Sequence, residues 1–103
     1  MDLKAWIDVY ILDVLMLDLT GHDKRPSAFL VYLLVWRRTA VEGSKLVPLS
    51  YQEMAEATGL SKSAVQAAVA HLKKRRLLTV KKENPTAIPL YRVETPWIRK
   101  GRK

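Results

Sequence analysis

Apolar residues recur along the first twenty positions at helical steps. Leu3, Ile7, Tyr10, Val14 and Leu17 follow one another by four and three, which predicts a helix over 4–19 with Gly21 as its stop. Trp6, Ile11, Leu12, Leu15 and Met16 widen that apolar surface beyond one stripe, so the helix carries more than a single buried face needs and is expected to meet a second subunit. A polar break, His22-Asp23-Lys24-Arg25, comes next. Pro26 then stands where a first helical residue tolerates a missing N–H, and a second helix is predicted from there to about Val41. Phe29, Leu30, Leu33, Leu34 and Trp36 form its apolar side, Arg37 and Arg38 fall in its last turns, and Glu42-Gly43-Ser44 ends it. Leu46-Val47-Pro48-Leu49 is short and contains proline, the mark of a brief edge strand.

The middle of the chain is punctuated most clearly. Ser50 with Glu53 three residues on forms a capping box and opens a helix that Gly59 closes. After Leu60, Ser61 caps another helix running to about Arg75, so two short helices are joined by a tight turn containing glycine. Val65, Ala68, Val69 and Leu72 make its buried face. From Leu77 to Lys82 and from Leu90 to Val93 apolar residues alternate around a polar tip at 83–86, which predicts a β-hairpin with Leu78 and Val80 facing Tyr91 and Val93. Trp97 and Ile98 are available to pack back before a basic tail.

Segment 49–78, LSYQEMAEATGLSKSAVQAAVAHLKKRRLL, resembles the winged helix-turn-helix of bacterial transcription regulators and of some plasmid and phage replication proteins. Met54 and Ala55 stand where such motifs place a hydrophobe and a small residue for close helix contact, Gly59 at the turn and Ser61 at the second cap. The sequence departs from the pattern at Arg76, where many relatives carry the glycine that permits a left-handed stop. The resemblance implies a mainly α fold with a small β-hairpin: a three-helix core plus wing over 26–94, an extra N-terminal apolar helix over 1–22 as a dimerisation element, and a basic tail over 95–103. All 103 residues are expected to form one domain, since a chain of this length at 49% hydrophobic closes a single core.

Charge adds a partner to this picture. Residues 1–22 hold four Asp and one Lys, net −3, which leaves +11 for the remainder of a chain whose net charge is +8. From Lys62 onward there are twelve Lys or Arg against Glu83 and Glu94, and a polyanion is the expected partner. Double-stranded DNA satisfies both the charge and the motif. Helix 61–75 is read as the element that enters the major groove, where Gln66 offers paired donor and acceptor groups to an adenine edge and small Ala67 and Ala70 allow close approach. Ser61, Lys62 and Ser63 at its start, and Tyr51 and Gln52 at the start of the preceding helix, are phosphate candidates. Lys73 and Lys74 follow at its end, and Lys81, Lys82 and Arg92 belong to hairpin 77–94 as wing contacts.

The remaining chemistry-bearing residues form no set. His22 and His71 are the only histidines, with no carboxylate at metal-ligand spacing, so His71 either touches DNA or stands exposed. Asp2, Asp8, Asp13 and Asp18 scatter around a helix and read as solvent contacts. No phosphate-cradling glycine loop, catalytic triad, metal site or cofactor site is expected, and the chain is read as a non-enzyme. Without cysteine the interior relies on packing, which suits a reducing cytoplasm, and no stretch reaches the length of a membrane span. The expected function is sequence-specific DNA binding as a homodimeric transcriptional regulator paired through residues 3–19. Alternatives from other classes are a protein adaptor that works through the acidic apolar first helix, and the DNA-binding part of a replication initiator or excision factor.

Overall fold

The computed structural model describes residues 4–39 and 46–98, so the expected helix end at 40–44 and the basic tail from 99 lie outside the described residues. A helical segment begins at Val9, where the Asp8 carboxylate accepts the Tyr10 N–H at 2.9 Å, and it continues through two π-helical stretches, Ile11–Leu15 and Asp18–His22. Helix α1 spans Pro26–Thr39, strand β1 Val47–Pro48, helix α2 Tyr51–Thr58, helix α3 Lys62–Lys74, and strands β2 and β3 Leu78–Lys81 and Leu90–Val93. The three strands form an antiparallel sheet in the order β1-β3-β2.

The first segment departs from expectation in start, stop and face. Its turns close by bonds five residues apart, Met16 N–H to the Ile11 carbonyl and Asp23 N–H to the Asp18 carbonyl, so each turn takes more residues than an α-helical one. Residues four apart therefore stay in line. Ile11, Leu15 and Leu19 are buried against the core, while Val14 and Leu17, expected on the inner stripe, are 39% and 70% exposed. Gly21 does not stop the helix; the chain turns at Lys24, whose φ of 56° lets Arg25 N–H reach back to the Leu19 carbonyl at 2.7 Å.

Helix α1 runs through the middle of the core, burying Phe29, Val31, Tyr32, Val35 and Trp36, with Leu33 and Leu34 half-buried and Leu30 left largely exposed. Its polar atoms tie distant segments together. The Tyr32 hydroxyl donates to the Glu94 carbonyl at 2.8 Å, and the buried Thr39 hydroxyl donates to the Val35 carbonyl and accepts from Val93 N–H. Trp36 meets Trp6 edge to face at 5.1 Å between ring centroids and donates its indole N–H to the Trp6 carbonyl. Trp97 packs back as expected, stacking on Tyr10 at 4.5 Å and donating to the Asp8 carboxylate at 3.1 Å, whereas Ile98 stays 43% exposed. Asp8 is thus a cap and an acceptor rather than a solvent contact.

The two central helices follow their local signals. Ser50 and Glu53 exchange both capping-box bonds, Gly59 closes α2 in the left-handed region at φ 80°, and Ser61 accepts from Ala64 N–H to open α3. At the far end of α3 the left-handed stop is present without glycine. Arg76 takes φ 59°, its N–H bonds to the Lys73 carbonyl at 3.0 Å, and Leu77 N–H bonds to the Leu72 carbonyl at 2.9 Å. With Leu72 and Leu77 both buried, this is a complete Schellman motif built on an arginine. The hairpin pairs Leu78 with Val93 and Val80 with Tyr91, the register expected from the alternation.

Candidate nucleic-acid interface

Val65, Ala68, Val69 and Leu72 seat α3 against the core, and that choice of face dictates what the helix shows outward. At about 100° per residue, the opposite side is centred on Ser63, Ala67, Ala70 and Lys74, with Gln66 and Lys73 toward one flank and His71 toward the other. Ser61, Lys62, Ser63, Gln66, Ala67, Ala70, Lys73 and Lys74 are all exposed, so no other described element covers this side. Its middle is small and its two ends are cationic. That is a shape a B-DNA major groove admits, with the helix N-terminus available to a phosphate.

The other expected contacts are placed less uniformly. Gln52 is exposed but its amide donates to Glu56 at 2.8 Å, and Tyr51 is half-buried beside Tyr91, whose phenol is pushed up in pKa by burial first and then by Tyr51. Lys81 and Lys82 are exposed at the end of β2, near a tip organised by Asn84, whose side-chain oxygen accepts from the Thr86 N–H and hydroxyl. Arg92 is half-buried and holds the Glu94 carboxylate at 3.2 Å, and the Thr79 hydroxyl donates to the same carboxylate. Arg92 therefore braces the base of the wing.

One cluster on α3 was invisible along the sequence. His71 is neither exposed nor free of carboxylates: its Nε2 lies 2.8 Å from Asp23, which also bonds His22 at 3.0 Å and the Arg75 guanidinium. Arg75 reaches Asp18 as well, at 3.6 Å, so Asp18 is an ion-pair partner and not only a solvated residue. Burial pushes the Asp23 carboxyl upward, but the bonds from His22 and His71 and the charge of Arg75 outweigh it and hold the group down at about 2. The cluster pins α3 to the turn before α1. Among the described residues no group of three or more His, Asp or Glu side chains is arranged to hold a metal ion.

Beside this cluster lies an open cleft of about 280 Å³, lined by Arg25, Ala67, Ala70, His71 and Lys74. Arg25 was not expected to share a surface with α3. No local signal marks it, because its placement follows from the packing of α1 on α3.

Two short helices joined through a left-handed glycine, the second one outward-facing, followed by a hairpin whose return strand pairs with β1, define a winged helix-turn-helix protein. Residues 40–87 match the model of the MarR family, and that match agrees with the winged helix-turn-helix fold. The matched segment, a little under half of the 103 residues, contains α2, α3, β2 and the hairpin tip. The family is one of regulators rather than enzymes. Neither a curated protein nor a solved structure matches the chain. Among the described residues no helix is long and apolar enough to cross a membrane.

Proposed function

We propose that the protein binds double-stranded DNA in a sequence-specific manner as a transcriptional regulator, with α3 in the major groove and hairpin 77–94 along the flanking backbone as a wing. The observation that carries the reading is the outer side of α3: uncovered, small at Ala67 and Ala70, polar at Gln66, and cationic at Lys62, Lys73 and Lys74. Gln66 reads a base edge, Lys62 and Ser63 hold a phosphate at the helix start, and Lys81 and Lys82 hold the backbone beside the wing. The protein acts in the cytoplasm as a homodimer, whose second copy covers the exposed Val9, Leu12 and Leu17 of the N-terminal segment.

Duplex selection from a random library, followed by titration of the selected site against salt, tests the proposal. Gln66→Ala is expected to relax preference at one base position at a cost of about 1–3 kcal/mol on the matched site, and Lys81→Ala to weaken all duplexes and flatten the salt dependence. Identical behaviour of the two variants defeats this sorting of contacts, and indifference of the native protein to every duplex in dilute buffer defeats the proposal.

The same exposed apolar residues also suit a protein adaptor, the second reading. An adaptor has no use for twelve cations from Lys62 onward, and its association would be insensitive to salt.

A further inference from the structure

We infer that Arg25, in the turn before α1, forms with Lys74 of α3 a site for a DNA backbone phosphate at the rim of the recognition surface. The inference deepens the DNA-binding reading and rests on it. The cleft that the two cations share is also lined by Ala67, Ala70 and His71, and the two alanines lie at the centre of the uncovered side of α3. A duplex seated on that side brings a sugar–phosphate strand past one edge of the helix, because the major groove is bounded by backbone on both sides. Arg25 stands at that edge.

Three features make the placement specific. The backbone of Arg25 is fixed from both directions: its N–H donates to the Leu19 carbonyl at 2.7 Å and its carbonyl accepts from Ala28 N–H at 3.0 Å. The left-handed turn at Lys24 is what allows the first of these bonds. Next, the buried acidic residue beside the cleft is already engaged, since Asp23 is held by His22, His71 and Arg75. Arg75 is consumed in this way, and so spares the cleft a competing carboxylate. Last, Arg25 and Lys74 both line the cleft, are both exposed and form no ion pair among the described residues. A guanidinium and an ammonium beside two small alanines suit a singly charged phosphodiester, which offers the fork of Arg25 two acceptor oxygens.

The test is a duplex titration of full-length native, Arg25→Ala, Lys74→Ala and double-variant protein between 50 and 200 mM salt, with thermal melting to establish that each is folded. One lost phosphate contact reduces the log–log slope by about 0.9, so the native protein is expected to lose about threefold more affinity over this fourfold salt range than Arg25→Ala does. The double variant is expected to fall short of the product of the single losses, because both cations serve one phosphate. If native protein binds duplex while Arg25→Ala keeps the native slope and affinity, the inference fails and the DNA-binding proposal stands; if native protein binds no duplex, both fail. Inorganic phosphate titrated alone at fixed ionic strength, followed by the Ala67 and Ala70 amide resonances, separates the sources. Saturable binding there, together with an unchanged duplex slope in Arg25→Ala, would overturn the inference by assigning the cleft to a free anion.

Discussion

Replacing Arg76 with glycine isolates a backbone effect at the end of α3. Arg76 sits at φ 59°, a region that costs an L-residue about 1–2 kcal/mol because Cβ crowds the neighbouring carbonyl. Both hydrogen bonds of the motif, Arg76 N–H to Lys73 and Leu77 N–H to Leu72, belong to the backbone and survive the substitution. Against the relief stands the extra freedom glycine brings to the unfolded chain, about 0.4–1 kcal/mol. The net expectation is a gain of about 0.5–1 kcal/mol, or about 4 °C in Tm for a domain of this size. Thermal and urea unfolding, followed by circular dichroism, measure it. Arg76→Ala is the matched control, since it keeps the strained φ and removes only the side chain, which lines a shallow groove with Glu94, Thr95, Pro96 and Ile98. Should glycine lower Tm while alanine lowers it equally, the arginine side chain rather than the backbone sets the local energy, and the reasoning from φ is refuted.

Three other outcomes follow from the core and the charge cluster. Asp23, held at about 2 when folded against an ordinary value near 3.8, contributes stability that is fully present above pH 4 and is lost as the pH falls through 2; with allowance for solvent screening the amount is about 1 kcal/mol, and Asp23→Asn should remove this acid-limb slope in urea unfolding measured from pH 5 to 2. Val65 is fully buried, so Val65→Asp places an unpaired charge in the α3 interface at a cost of about 3–5 kcal/mol, and a native-like amide spectrum of that variant would contradict the register of α3. Leu17→Asp, at a side chain 70% exposed, should leave folding intact and halve the mass seen by light scattering at micromolar concentration; an unchanged single-chain mass in the native protein removes the dimer.

What the sequence disclosed was whatever is decided within a few residues. The Ser50–Glu53 box, Gly59, the Ser61 cap and the alternation around the hairpin each act locally, so α2, α3 and the pairing of Leu78 with Val93 were legible. The first segment departs from the α-helical period that its sequence suggests, because Ile11, Leu15 and Leu19 follow a wider turn. Arg76 hid a left-handed stop because residue type argued against it, and the surrounding packing prevailed. Contacts such as Asp23 with His71, 48 positions apart, and Asp8 with Trp97, 89 apart, belong to tertiary packing and leave no periodic trace. Of the candidate interface, the outer side of α3 followed from its buried face, while Arg25 entered only once α1 was placed.

The middle position of β3 ties together the two parts that the proposed reading brings to DNA separately. Strand β1 pairs with β3 and ends just before Ser50, and Leu49 N–H bonds to the Pro89 carbonyl at 3.1 Å, so the wing's returning arm is stitched to the threshold of α2. The span between wing and α3 is therefore set like the jaws of a caliper, and lengthening the tip at 83–86 would alter its reach without loosening its hinge.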